Sequence, residues 1–186
     1  PGVTVGPVVS RAARDRLEAL AAASADLGGE VVEVGTVDAS LDAEGYFVRP
    51  RLVVGLADDA PLVCDEQFGP IVPLQGYEDV EDVVARANAG DLGLGASVWS
   101  LDEERAFAVA RRLEAGFVFV NTHNRTGLTM RAPFGGVKRS GFGREYGVEG
   151  LREYAQSVVV HAPATFRPGA DPAAQAAASR AYPGQR

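Results

Sequence analysis

The chain has 186 residues, of which 46% are hydrophobic and 23% charged, and its formal net charge is −7. These proportions are typical of a folded globular protein, and the acidic charge argues against nucleic-acid binding, which needs clustered Lys and Arg. No run approaches the roughly 18 apolar residues of a membrane-spanning helix, and the first residues lack the features of a signal peptide. The single cysteine, Cys64, and the two histidines argue against a disulfide and a zinc site. We therefore expect a cytoplasmic protein that binds no metal, membrane or nucleic acid.

Four segments have the apolar spacing or the end signals of helices. Ser10 is expected to cap the first helix, and Gly28 and Gly29 are expected to end it. Gly90 is expected to end the second helix in the left-handed conformation. Ser100 and Glu103 form a potential capping box for the third helix, which Gly116 would end. The helices are predicted at residues 10–27, 79–89, 100–116 and 148–153.

Short β-branched or aromatic runs lie between these helices and indicate strands. The strands are predicted at residues 30–34, 46–54, 71–76, 96–99, 117–121 and 157–161. Because strands and helices alternate between residues 71 and 121, the connections must cross over, which predicts an α/β fold with a largely parallel sheet covered by helices. The tail at 164–186 is rich in Ala and Pro and has too few large apolar residues to fold, so we expect disorder there.

Generic catalytic and phosphate-binding patterns are weak in this chain. Residues 141–147 are one residue too long for a dinucleotide fingerprint, and residues 136–140 lack the spacing of a P-loop. Both glycine-rich stretches are better explained as turns. Cys64 paired with His123 or His161 would suit a cysteine hydrolase, but no neighbouring signal supports a nucleophile, and a small buried cysteine is the favoured interpretation.

The turn at residues 65–70 carries two side chains suited to a nucleotide. The carboxylate of Glu66 can accept hydrogen bonds from a ribose diol, and the ring of Phe68 offers a flat apolar surface to a nicotinamide. A plain turn explains the same residues equally well on physical grounds alone.

A resemblance decides between these alternatives. The 65–70 sequence, Asp-Glu-Gln-Phe-Gly-Pro, resembles the Glu-Glu-x-Phe-Gly-Pro segment of the NAD(P)-dependent aldehyde dehydrogenase superfamily. Further segments resemble this family in the same order, although a tyrosine is missing from the third of them. They are residues 5–10, 45–50, 93–99, 116–121 and 133–145, so the resemblance extends from about residue 5 to residue 161.

The resemblance implies a function and also an incomplete enzyme. Members of this family oxidise an aldehyde to a carboxylic acid with NAD or NADP through a thiohemiacetal on a cysteine. That cysteine lies in a Gly-Gln-x-Cys-like segment before the helix that our chain begins with, so the nucleophile, the general base and the Rossmann half are expected to be absent. No catalytic residue is therefore assigned, Cys64 is not the nucleophile, and the isolated chain is expected to be inactive. The alternative is a silent assembly or regulatory subunit that pairs with a full-length dehydrogenase.

The family also implies roles for particular side chains. Glu66 is expected to bind the nicotinamide ribose, and Phe68 to lie beside the nicotinamide. The 121–126 loop corresponds to a wall of the substrate tunnel, and its polar character suggests a small or polar aldehyde. The tunnel residues are predicted to be Asn121, His123, Asn124 and Thr126.

Two further expectations concern architecture. Residues 1–163 are interpreted as the C-terminal portion of the catalytic domain, in which residues 154–161 extend the sheet of a neighbouring subunit and so form a homo-oligomer. In the glycine-rich block at residues 133–145, Gly135 and Gly136 are expected to allow close backbone approach. Lys138 and Arg144 are expected to fix that loop rather than to contact substrate.

Overall fold

The computed structural model describes residues 5–35, 45–123 and 128–162, together with Gly169. The chain divides into two compact units, the first comprising Pro1–Thr129 and Gly135–Phe142, and the second Met130–Phe134 and Gly143–Arg186. Apart from Gly169, the predicted tail at 164–186 lies outside the described residues. None of the helices in the described ranges is long and apolar enough to cross a membrane.

Helix α1 spans Arg11–Asp26, close to its predicted bounds. The Ser10 hydroxyl accepts a hydrogen bond from the Ala13 amide at 3.1 Å, as expected for an N-cap. The helix buries Leu17 and Ala21 on one face. Gly28 follows the helix with a φ of 89°, a left-handed conformation that glycine adopts without steric cost. Ser10 and Gly28 therefore mark the two ends of α1, and both could be identified from the sequence.

Helix α1 packs on a three-stranded sheet. The strands are β1 (Glu30–Glu33), β2 (Arg51–Val54) and β3 (Ile71–Leu74). Strand β2 is central, antiparallel to β1 and parallel to β3. The short helix α2 (Pro61–Cys64) leads toward β3. The main core lies between helix and sheet, and its buried residues are Leu17, Ala21, Val48, Val53, Leu56, Ala60, Leu62 and Ile71.

Over the described residues, the rest of the first unit contains two helices and four short strands, which form two two-stranded ladders. These elements are α3 (Val80–Ala89), β4 (Leu92–Gly93), β5 (Gly95–Val98), α4 (Glu103–Ala110), β6 (Phe117–Val120) and β7 (Val137–Lys138). Strands β5 and β6 are parallel, whereas β4 and β7 are antiparallel. Helix α4 packs on both β5 and β6. The α/β class is therefore confirmed, with parallel and antiparallel pairs in equal number among the described strands.

Helix α3 ends at Ala89 as predicted, but the left-handed conformation predicted for Gly90 and both predicted ends of α4 were wrong. Gly90 has an extended conformation with a φ of −72°. The Asn88 and Gly90 carbonyls accept from a lysine side chain instead of from the amides of a left-handed turn. The cap of α4 is Asp102, which accepts from the Arg105 amide at 3.0 Å, while Ser100 accepts from the Asp102 amide. Helix α4 ends at Ala110, and Gly116 instead precedes β6.

The second unit contains helix α5 (Gly147–Arg152), which matches the predicted short helix. Phe134 and Glu145 exchange two backbone hydrogen bonds of 2.7 Å beside it. Within the described chain, no strand forms at residues 157–161. The three valines of this segment, residues 158–160, are 79–91% exposed. Pairing of this segment with another chain stays a prediction.

Candidate functional site

The 65–70 turn lies between α2 and β3 and packs directly on α1. A side-chain atom added at Gly69 would collide with Leu17, which is fully buried. The turn ends where the Arg51 amide of β2 donates to the Pro70 carbonyl at 2.8 Å. The turn is therefore fixed against the core at both residues, and the lack of space for a Cβ explains why a glycine occurs at position 69.

The two predicted cofactor residues are both accessible. Glu66 is exposed and makes no hydrogen bond or ion pair with any described residue. Phe68 is 82% exposed, and its backbone has a φ of 46°. This left-handed conformation is costly for a residue with a large side chain, and such strain is common at binding sites.

Gln67, between these two residues, is bound from two sides. Its backbone carbonyl and its side-chain oxygen accept from the Arg16 guanidinium at 2.6 and 3.0 Å. Its side-chain nitrogen donates to the Asp65 carbonyl at 2.5 Å and to the Pro61 carbonyl at 3.5 Å. These contacts connect the turn to α1 and to α2.

An open groove of about 360 Å³ runs beside the turn, between α1 and residues 61–67. Apolar side chains of α1 and Pro61 line it, together with Arg16, Asp65, Glu66 and Gln67. Phe68 is not part of its wall. The groove therefore combines an apolar surface with carboxylates, one of which belongs to the predicted ribose-binding residue.

The structure describes only part of the predicted substrate loop. Asn121 follows β6 with a φ of 51°. Its side chain accepts from the Ser100 amide and donates to the Ser100 carbonyl, both at 2.9 Å. His123 is exposed, and its ring lies 5.2 Å from that of Phe119. Asn124 and Thr126 lie outside the described residues. Asn121 thus has a clear structural role in addition to the tunnel role predicted for it.

The two groups of predicted site residues are separate in their contacts. Across the described ranges, no hydrogen bond or ring contact joins residues 65–70 to residues 121–123. The turn is attached to α1, whereas Asn121 is attached to the loop before α4.

The glycine-rich block holds the neighbouring elements together. Lys138 Nζ donates to the Asn88 and Gly90 carbonyls at 2.6 and 3.0 Å and contacts the Glu114 carboxylate at 2.8 Å. The Ser140 hydroxyl accepts from the Gly93 amide at 2.9 Å. Gly136 is buried, and a Cβ there would come within 2.6 Å of the Ser140 carbonyl oxygen. The loop-fixing role predicted for Lys138 and the close approach at Gly136 agree with these contacts.

In the second unit, Arg144 donates to the neighbouring Gly143 carbonyl at 2.7 Å. This contact lies within the glycine-rich block, as its predicted loop-fixing role requires.

Cys64 is exposed rather than buried, which corrects the expectation of a small buried cysteine. Its thiol donates to the Asp58 carbonyl at 3.2 Å. No hydrogen bond joins it to either histidine within the described residues. Cys64 is the last residue of helix α2. The cysteine hydrolase therefore has no support in these contacts.

The carboxyl of Asp58 belongs to a charged cluster next to this segment. Arg86 donates to both of its oxygens, at 2.7 and 2.9 Å, and Gln75 donates at 2.7 Å. Hydrogen bonding from Arg86, supported by Gln75, lowers the pKa of Asp58, and the same pair raises the pKa of Arg86. The ion pair joins α3 to the loop before α2. Across the described residues, no cluster of three His, Cys, Asp or Glu side chains is arranged to hold a metal ion.

Comparison with known proteins identifies the family. A sequence model described as "Aldehyde dehydrogenase family" matches residues 1–160. The chain belongs to the aldehyde dehydrogenase family. The predicted resemblance is therefore confirmed over most of the sequence.

Particular aldehyde dehydrogenases are similar in sequence and in fold. Betaine aldehyde dehydrogenase from Rhizobium etli is 36% identical over 157 residues, which are 84% of this chain and 32% of the relative. An aldehyde dehydrogenase from Mycobacterium tuberculosis, solved with NAD+, superposes with a TM-score of 0.77 at 31% identity, over 84% of this chain and 32% of that one. Aldehyde dehydrogenase C from Pseudomonas syringae, solved as a mutant with NAD+ and octanal, has a TM-score of 0.71 at 37% identity and covers 80% and 30%. The chain spans about a third of the length of the relatives that it matches.

Sequence reasoning missed the residues that support the site in this aldehyde dehydrogenase chain. Arg16 was one of several charged residues of an amphipathic helix, and Gln67 stands at the variable position of the 65–70 motif. Their contact joins residues 51 positions apart. No local pattern reports such a contact, so only the tertiary structure reveals it.

Proposed function

We propose that the chain supplies one wall of the nicotinamide site in an enzyme that oxidises an aldehyde to a carboxylic acid with NAD or NADP. Membership of the aldehyde dehydrogenase family supports the reaction class. The observation that carries the assignment of the site is the exposure of Glu66 and Phe68 on a turn fixed against the core. In this proposal neither side chain performs chemistry.

The residues present fit a nicotinamide nucleotide. The Glu66 carboxylate has no partner among the described residues, so its oxygens are available to ribose hydroxyls. The exposed Phe68 ring is available to the flat face of a nicotinamide. When bound, the nucleotide would accept the hydride that leaves the substrate. The protein's part at this wall is to orient the ribose and the ring.

The nucleophile is proposed to lie outside this sequence. No Gly-Gln-x-Cys segment occurs in it, and its only cysteine is Cys64. The Cys64 thiol is hydrogen-bonded to the loop before α2 rather than to a base. We therefore expect the isolated chain to reduce neither NAD+ nor NADP+ with any aldehyde. Activity of the isolated chain would overturn this part of the proposal.

A hybrid enzyme tests the proposal directly. The 157 matching residues of the Rhizobium etli enzyme are replaced by those of this chain, and NADH formation is measured with betaine aldehyde. We expect activity in the hybrid, and a rise of roughly tenfold in the KM for NAD+ on Glu66→Gln or Phe68→Ala. Cys64→Ala is the matched control and should leave the activity unchanged. An active hybrid in which neither site variant changes the KM for NAD+ would contradict the assignment.

A second candidate function is an assembly or regulatory subunit that pairs with a full-length dehydrogenase. Its support is the exposed run of valines at 158–160, which offers backbone and apolar surface to the edge of another sheet. Size-exclusion chromatography of the chain mixed with the Rhizobium etli enzyme tests it. A complex that disappears with Val159→Lys would favour this function. Homo-oligomer formation by the complete enzyme, also proposed, predicts the same dependence on Val159 in the hybrid.

A further inference from the structure

We propose that Arg16 of α1 is a positioning residue, which holds the 65–70 turn in the conformation that presents Glu66 and Phe68 to the nucleotide. The inference rests on the proposed function of these two side chains. It adds to that function a residue from another part of the chain. Arg16 itself is not assigned a contact with cofactor or substrate.

The contacts of Arg16 converge on the middle of the turn. One guanidinium nitrogen donates to the Gln67 carbonyl at 2.6 Å, and another donates to the Gln67 side-chain oxygen at 3.0 Å. Because Gln67 separates Glu66 from Phe68, a restraint on its backbone restrains both neighbours. The planar fork of a guanidinium can make both bonds at once, whereas an ammonium group cannot match that geometry.

The strained residue of the turn, Phe68, needs an external restraint because its own side chain provides little. Phe68 has a left-handed φ of 46°, a conformation that costs about 1–2 kcal/mol for a residue other than glycine. Its ring is 82% exposed and has no ring contact with the described residues. Packing of the ring within this chain therefore does not offset the strain.

Helix α1 restrains the turn at two adjacent positions. Arg16 binds Gln67, and the next residue, Leu17, packs against Gly69 so tightly that no Cβ would fit there. Phe68 lies between these two restrained residues. The helix thus fixes the backbone on both sides of the strained residue.

Arg16 leaves the carboxylates of the groove available. It lines the same groove as Asp65 and Glu66, yet within the described residues it makes no ion pair with either. Its donors are instead used by the neutral oxygens of Gln67. This arrangement holds the turn without neutralising the carboxylate that is proposed to bind the ribose.

The first test uses the full 186-residue chain and cleavage by chymotrypsin after Phe68, identified by mass spectrometry. We expect Arg16→Met to accelerate this cleavage about fivefold, because loss of the two bonds opens the turn more often. Cleavage after Phe142, which is fully exposed, serves as an internal reference. Arg14→Met is the matched control, since Arg14 is on the same helix but donates to Gly45 instead.

The second test measures kinetics in the hybrid enzyme. We expect Arg16→Met to raise the KM for NAD+ about three- to tenfold and to leave the KM for the aldehyde unchanged. Arg16→Lys, which retains one donor to the Gln67 carbonyl, should restore part of the loss. Arg14→Met should behave like the unmodified hybrid. A general loss of stability would not produce this selective change.

Two results would overturn the inference. One is unchanged cleavage after Phe68 in Arg16→Met. The other is faster cleavage combined with an unchanged KM for NAD+, which would show that the position of the turn does not matter for the nucleotide. An unmodified hybrid without activity counts against the proposed function instead, and the cleavage comparison then decides alone whether Arg16 holds the turn.

Discussion

In the 65–70 turn, the side chains matched to the aldehyde dehydrogenase motif are exposed, and Glu66 has no polar partner in the described part of the chain. In residues 135–140 of the glycine-rich block, the side chains that match the family motif bind other groups of the protein. Lys138 binds two carbonyls and a carboxylate, and Ser140 binds the Gly93 amide. Both regions were found through the same kind of sequence resemblance, but their contacts differ.

This difference distinguishes two reasons why a sequence motif occurs. One is that its side chains stabilise the fold, and the other is that they bind a ligand. The contacts of Lys138 and Gly136 account for those residue types through folding alone, without a ligand. Lys138 and Phe68 both have a left-handed backbone, with φ values of 54° and 46°. The Lys138 side chain makes three polar contacts within the protein, whereas Glu66 and Phe68 contribute few contacts to folding. Side chains that are exposed and strained in a fixed loop are better explained by binding. Stability and cofactor affinity should therefore respond to substitutions in different regions.

The largest expected effect is on folding, from Gly116→Ala. A Cβ at Gly116 would collide with the Gly135 carbonyl and would approach the Gly136 Cα within 3.1 Å. We expect a loss of about 2–4 kcal/mol in the free energy of unfolding, measured with urea. Gly76→Ala is the control, because its Cβ would meet nothing within 4 Å. Equal urea midpoints for the two variants would show that the block does not pack against Gly116.

Lys138→Met should have the next largest effect. The substitution keeps the aliphatic stem but removes two hydrogen bonds to the end of α3 and the contact with Glu114. We expect a loss of about 1–3 kcal/mol in the free energy of unfolding. The control is Arg139→Met, because Arg139 is 78% exposed and its pair with Asp91 is long, at 3.4 Å. Such surface pairs contribute about 0–1 kcal/mol, so a control as damaging as Lys138→Met would contradict this account.

The helices and strands were predicted well where residues close in sequence determine their ends. Helix α1 was predicted within one residue at each end, because Ser10 and Gly28 have their usual capping roles. The left-handed conformation predicted for Gly90 was wrong, and there Lys138, distant in sequence, binds the Asn88 and Gly90 carbonyls. Strands β4 and β7 were missed because each has two residues and is defined by its partner.

Part of the candidate site could be predicted because it also depends on residues close in sequence. Glu66 and Phe68 were found from the motif that contains them, since their role depends on residue type and position in a turn. The strain at Phe68 and the contact between Arg16 and Gln67 depend on the packing of α1 against the turn. The sequence contains no local pattern for such packing.

Phe68→Gly should change stability and affinity in opposite directions. Glycine tolerates the left-handed φ of 46°, so we expect the free energy of unfolding to rise by up to about 1 kcal/mol. In the hybrid, the KM for NAD+ should rise because the ring is lost. Tyr77→Gly is the control, since Tyr77 is an exposed aromatic residue without a positive φ. A destabilised Phe68→Gly with unchanged affinity would place Phe68 with the structural residues.

The smallest effect is expected from Asp58→Asn, and it should depend on pH. Arg86 lowers the pKa of Asp58 below its ordinary value of 3.8, so the pair stabilises the folded chain at neutral pH. This contribution is lost as the pH falls through the lowered pKa, because the protonated carboxyl no longer attracts the guanidinium. Thermal unfolding should therefore show a slightly lower Tm for Asp58→Asn at pH 7 and a smaller difference at pH 3. Asp59→Asn, at an exposed position with no polar partner among the described residues, should show no difference at either pH. A large effect at pH 7 would mean that the ion pair also fixes the segment before the turn, in addition to the contacts of the turn with α1 and α2.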